Sequence, residues 1–121
     1  MDEKKTVLVV EDEELLAKVY EDTLGKSGYN VLVAKDGATA FKYLDSEKID
    51  LVILDVKLPD TSGLKVLEEI RKKSKSLPVM MCTAYDGFKT DYEIWASQVS
   101  DFAQKPILLD KLRGKIKEIL G

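Results

Sequence analysis

Five side chains in this sequence have types and positions that let them do chemistry together: Glu11, Asp12, Asp55, Thr83 and Lys105. Each stands at the end of a short stretch of strand length. Carboxylates crowded at one place repel one another and raise each other's pKa unless a cation joins them. A hard divalent ion such as Mg2+ takes oxygen ligands and keeps several waters, so a shallow acidic pocket suits it. Such an ion also binds a phosphoryl oxygen and neutralises charge that develops in transfer. Lys105 supplies a fixed positive charge on the other side, and Thr83 can donate a hydrogen bond to a phosphoryl oxygen. Asp55 then becomes a carboxylate nucleophile that forms an acyl phosphate. Taken singly, each residue has a plainer reading. Glu11 to Glu14 suit the positive end of a helix dipole, Asp55 can form a turn, Thr83 can close a strand, and Lys105 can be a surface charge. Their joint placement at four strand ends is what favours a single site.

Composition removes most other site chemistries. The chain has 121 residues, no histidine and one cysteine, Cys82. No Ser-His-Asp or Cys-His nucleophile pair can form, nor a Cys/His zinc site, nor an intrachain disulfide. Cys82 reads as inert core, because a buried thiol behaves as a small hydrophobe. A net charge of -3 argues against a basic nucleic-acid-binding face. The apolar run Val7 to Val10 is too short for a signal peptide or a membrane span, so a cytoplasmic protein with no membrane insertion is expected.

The elements that position these residues alternate in kind. Thr6–Val10, Val31–Ala34, Leu51–Leu54, Pro78–Cys82 and Asp101–Gln104 have strand length, and the first is a continuous β-branched-rich run suited to burial on both faces. Between them lie amphipathic stretches. The first carries Leu15, Leu16, Val19 and Leu24 on one side and ends at Ser27-Gly28. The second follows Asp36-Gly37 and carries Ala40, Phe41 and Leu44. The third follows a loop from Asp55 to Gly63 and carries Leu64, Leu67 and Ile70. A further helix is expected over about 86–98, with Trp95 packing on a helix surface. The last stretch shows Leu109, Leu112, Ile116 and Ile119. The basic run Arg71 to Lys75 reads better as a solvated helix end than as a docking patch. Five β-α units predict an α/β fold, a single (βα)5 domain over 1–121 with a doubly wound parallel five-stranded sheet. In such sheets ligands bind beyond the carboxyl ends of the strands, which is where the five chemical residues fall.

The motifs Val-Val-Glu11-Asp12-Glu13, Leu-Asp55-Val-Lys-Leu-Pro59-Asp-Thr-Ser-Gly63, Thr83-Ala84 and Lys105-Pro106 resemble those of bacterial response regulator receiver domains, in order and spacing, over the whole chain. The resemblance implies the flavodoxin-like strand order 2-1-3-4-5. It also implies that Asp55 is the phosphoacceptor in two-component signalling and that Glu11 and Asp12 form the acidic pair. Asp12 and Asp55 would hold Mg2+ together with the backbone carbonyl of Lys57, while Thr83 and Lys105 would contact the phosphoryl group. Thr83 and Phe102 fall at switch positions, and Lys105-Pro106 at a peptide that is commonly cis. Lys57 and Tyr85 flank the phosphoryl site and tune access of water to it, which suggests a long-lived phosphoaspartate. Gln98-Val99 departs from a Gly-Ala pair that the family often carries. The implied partners are a sensor histidine kinase or histidine phosphotransfer protein and a downstream output protein or domain.

Rival functions fit less well. A flavin carrier on the same fold needs hydroxyls and glycines after the first strand, where Glu11-Asp12-Glu13 would repel phosphate. A phosphatase of the haloacid dehalogenase type needs an Asp two residues after the nucleophile, where this chain has Lys57. No turnover enzyme is therefore expected. Within the receiver reading, a relay intermediate between histidines stays open. A degenerate, phosphorylation-independent receiver is disfavoured by the retained acid pair, nucleophile, threonine and lysine.

Overall fold

Strands β1 (Thr6–Val10), β2 (Asn30–Ala34), β3 (Leu51–Leu54), β4 (Val79–Thr83) and β5 (Asp101–Gln104) form a parallel sheet in the order β2-β1-β3-β4-β5. The computed structural model describes residues 4–83, 99, 101–105 and 107–121. The helix expected over 86–98, with its Trp95, lies outside the described residues. So do Tyr85, Pro106 and the Lys105-Pro106 peptide.

Alternating side chains of the central strands enter two separate cores, as a pleat with period two requires. Leu8, Val10, Val52 and Leu54 pack on the face covered by α2 (Gly37–Ser46) and α3 (Gly63–Lys73), against Ala40, Val66, Leu67 and Ile70. Val7, Val9, Leu51 and Ile53 pack on the other face with α1 (Glu14–Lys26) and α4 (Leu109–Leu120), against Tyr20, Leu24, Leu112 and Ile116. Burial on both faces is why these strands are apolar at every position rather than at alternate ones.

α1 differs from the expected stripe. Its buried residues are Ala17, Tyr20 and Leu24, while Leu15 is 84% exposed and Val19 41% exposed. The helix turns Tyr20 inward because the ring fills the core and its hydroxyl finds a partner, the Cys82 thiol at 3.3 Å. Burial, then this bond, pushes the Tyr20 hydroxyl above its ordinary pKa, and burial pushes the Cys82 thiol up as well. The stripe of α4 is also narrower than expected. Leu112 and Ile116 are buried, but Leu109 is 38% exposed.

Helix ends follow local chemistry. α1 stops at Ser27, and Gly28 beyond it takes a φ of 98°, which glycine tolerates best. Asp36 caps α2 by accepting the Thr39 N–H at 2.7 Å. Ser62 caps α3 by accepting the Leu64 N–H at 3.1 Å. At the other end of α3 the basic run is only partly solvated. Lys72 and Lys73 are exposed, but Arg71 folds back to donate to the carbonyls of Ser74 at 3.2 Å and Leu77 at 2.7 Å. Among the described residues no helix is long and apolar enough to cross a membrane.

Candidate functional site

The site is built where β1, β3 and β5 end. Ladder bonds continue past the strands and fix the backbone there. The Glu11 N–H donates to the Ala34 carbonyl at 2.9 Å, and the Asp55 N–H to the Val10 carbonyl at 3.1 Å. Two acidic residues are thereby held at the sheet rim with their carboxylates almost wholly buried, Glu11 at 2% exposure and Asp55 at 6%. Asp12, next along the chain, is exposed. One oxygen from each of Glu11, Asp12 and Asp55 lies within 4.8 Å of the others.

Lys105, immediately after β5, reaches between two of these carboxylates. Its Nζ donates to Glu11 Oε1 at 2.5 Å and to Asp55 Oδ2 at 2.9 Å, and stands 3.8 Å from Glu13 Oε2. Burial alone would favour the neutral amine, but the bonds to Glu11 and Asp55 outweigh it and hold the ammonium above its ordinary pKa. Glu11 moves up from its ordinary value because burial outweighs the Lys105 bond and the Glu13 N–H, which reaches Oε2 at 3.2 Å. The pair is therefore asymmetric. The lysine faces two carboxylates and stays charged, while Glu11 shares that one ammonium with Asp55.

The loop after β3 is shaped to present Asp55. Its Oδ1 accepts the Lys57 N–H at 3.2 Å. A one-residue antiparallel bridge joins Lys57 to Ser62, and the Gly63 N–H donates to the Val56 carbonyl at 2.6 Å. Gly63 is there because no side chain fits: a Cβ would run into the carbonyl oxygen of Asp55 and the Cα of Val56. The sequence marks Gly63 as the end of a loop and as part of the receiver motif, but gives no signal for this contact, since the neighbour is backbone.

Of the residues singled out from the sequence, the structure thus brings Glu11, Asp12, Asp55 and Lys105 to one rim, with Lys57 beside Asp55. Thr83 is the last residue of β4 and lies in register with Gln104, one residue before Lys105; Phe102 lies in β5 in register with Met81. Only the backbones of these two are described. Sequence reasoning missed Asp60, whose carboxylate accepts the N–H groups of Gly37 at 2.8 Å and Ala38 at 3.1 Å. A Pro-Asp pair in a loop reads as a turn, and backbone donors in a distant helix leave no mark in a sequence.

The charge balance at the rim, three carboxylates against one ammonium, and its all-oxygen donors fit a hard divalent cation. A parallel α/β sheet covered by helices on both faces belongs to the doubly wound class, in which ligands bind beyond the carboxyl ends of the strands, where this rim lies. The chain is a member of the response regulator receiver domain family, whose pattern matches residues 7–117, and its function is that of a two-component signal receiver. It is 35% identical over 115 residues to the probable transcriptional regulatory protein TcrX of Mycobacterium tuberculosis, an alignment covering 95% of this chain and 49% of that protein. The chain spans about half the length of the transcriptional regulators it matches. Among solved structures it resembles the response regulator TrrA of Thermotoga maritima in complex with Mg2+-BeF, with a TM-score of 0.87 and 36% identity, covering 96% of this chain and 99% of that one. A receiver domain protein from Methanospirillum hungatei superposes with a TM-score of 0.91 at 26% identity, covering 98% and 94% of the two chains.

Proposed function

We propose that Asp55 is the residue that takes the phosphoryl group, from a phosphohistidine on a sensor kinase or phosphotransfer protein, and that the modified chain then alters how it binds an output partner. The observation that carries this is the placement of the Asp55 carboxylate: buried at a strand end, 2.9 Å from the Lys105 ammonium, beside two further acidic groups. An oxygen of Asp55 forms the new O–P bond as the donor's P–N bond breaks, and the electron pair leaves with the imidazole nitrogen. Lys105, already bonded to Asp55, compensates charge on the phosphoryl oxygens. Thr83, at the end of the neighbouring strand, donates its hydroxyl to one of them.

Asp12 and Asp55, with the backbone carbonyl of Lys57 and with Glu11 behind them, are the groups that would hold Mg2+. The ion's contribution there is positive charge at the phosphoryl oxygens as transfer proceeds. The Mg2+-BeF complex of the Thermotoga protein supports Mg2+ as the ion by similarity. By resemblance to the family, Lys57 and Tyr85 are the residues that slow hydrolysis of the phosphoaspartate by water. Phe102 takes part in the switch. The chain acts as a single cytoplasmic (βα)5 domain that makes and breaks its own phosphoaspartate rather than turning over a separate substrate, and it binds protein partners rather than nucleic acid.

Intact mass after incubation with a small acyl phosphate donor, with and without Mg2+, tests the reading. One phosphoryl group gained only with Mg2+, and not by Asp55→Asn, is the expected result. Equal uptake by the variant would overturn it.

A further inference from the structure

The two halves of the acid pocket, joined directly by the β1–β3 ladder and by Lys105, are joined a second time through the junction of β2 and α2, which carries no site residue. At this junction the Ala34 carbonyl, at the end of β2, accepts the Glu11 N–H at 2.9 Å, and the Lys35 ammonium pairs with Glu14 at 2.7 Å. Both contacts come from the segment that carries Glu11 and Asp12. Just beyond it, the first residues of α2 meet the other half of the site. The Gly37 and Ala38 N–H groups donate to the two oxygens of Asp60, which lies on the loop that carries Asp55 and Lys57. The seat is close-fitting: a Cβ on Gly37 would collide with the Thr61 methyl and stand 3.3 Å from Asp60 Oδ1.

Helix capping alone does not account for Asp60. α2 already has its own cap in Asp36, which takes the Thr39 N–H. Asp60 adds a second carboxylate at the same helix end, brought from 23 residues away in sequence. The base of its loop is closed by Gly63 against Asp55, and the Lys57–Ser62 bridge ties the two arms of the loop together. What Asp60 adds is a fixed position for the loop tip, and through the bridge for Lys57.

We propose that Asp60 is a positioning residue for the Asp55 site: the bond from the Asp55 N–H to the Val10 carbonyl already sets Asp55 beside the segment of Glu11 and Asp12, and the grip of Asp60 on the Gly37 and Ala38 N–H groups places the rest of that loop, with Lys57, relative to the same segment. The proposal rests on the reading of Asp55 as acceptor and of the acidic rim as the Mg2+ site. It concerns spacing rather than charge, so it separates two variants that a purely structural role would treat alike.

Mg2+ binding by calorimetry and the rate of phosphoryl uptake from a small donor are measured on wild type, Asp60→Ala, Asp60→Asn and Asp36→Ala, with Asp55→Asn as the control for uptake. Outer groups that orient metal ligands cost tenfold or more when removed, so Asp60→Ala should weaken Mg2+ binding and slow uptake by about tenfold each. Asp60→Asn keeps one of the two acceptor oxygens and should recover part of both losses. Asp36→Ala removes a cap from the same helix but should stay within about twofold of wild type in both measurements. Unchanged Mg2+ affinity in Asp60→Ala, or equal losses in Asp36→Ala, would overturn the proposal. Uptake that is absent in wild type, or that survives Asp55→Asn, would instead count against the functional reading, and the Mg2+ comparison would still decide the role of Asp60. Wild type that binds no Mg2+ would count against both.

Discussion

At the scale of single residues, Asp55 depends on a neighbour with no side chain. Gly63 stands so close to the Asp55 carbonyl that a methyl group there must displace the loop or the strand end. Overpacking of this kind costs about 1–3 kcal/mol, so Gly63→Ala should lower stability by that much in urea denaturation and reduce phosphoryl uptake with it. A variant as stable and as active as wild type would show that the loop yields freely. Asp36 offers a second test, by pH. The Thr39 side chain, then its N–H, holds the Asp36 carboxyl below its ordinary pKa. A group with a depressed folded pKa contributes stability above its unfolded value and loses it as pH falls through the folded one. Asp36→Asn keeps an acceptor oxygen but no charge. The stability gap between wild type and this variant should therefore be widest at neutral pH and shrink on acidification through the carboxylate range. A gap that stayed constant would mean that the charge on Asp36 plays no part.

Elements differ in how far their roles can be read before the structure is seen. The strands are plain in the sequence because parallel strands buried on both faces are apolar at every position, as in Leu51–Leu54. Their ends mark the rim to which Glu11, Asp12, Asp55 and Lys105 are brought. α1 is harder, because it carries two apolar stripes and composition does not say which one packs. The structure turns Ala17, Tyr20 and Leu24 inward and leaves Leu15 and Val19 at the surface. The same helix supplies a paired prediction. Leu24→Ala should cost about 2–5 kcal/mol, as large-to-small core changes do, whereas Leu15→Lys should stay within about 0.5 kcal/mol. Chemical denaturation of both variants checks the assignment, and a Leu15→Lys as costly as Leu24→Ala would restore the stripe read from the sequence. Which side chains pair within the site was also illegible. Lys105 could be placed at the rim, but its bridging of Glu11 and Asp55 depends on a sheet order that brings β5 within reach of both. Asp60 was hidden for a different reason: its partners are peptide N–H groups, which every sequence possesses.

For the whole molecule, the fold keeps two cores stiff beneath a rim where like charges meet. Leu8, Val52 and Leu54 on one face, and Val9, Ile53 and Met80 on the other, lock the strands that end at the site. Burial that would be costly for an isolated carboxylate is tolerated at Glu11 and Asp55 because Lys105 satisfies both. The chemistry proposed for this rim leaves a bond that can be located in the chain. After incubation with a small acyl phosphate donor and Mg2+, borohydride reduction converts an aspartyl phosphate to the alcohol of homoserine, and peptide mapping finds the position. The account predicts homoserine at position 55 and at no other acidic residue. Conversion at Asp12 or Asp60, or at no position in protein that has gained phosphoryl mass, would contradict it.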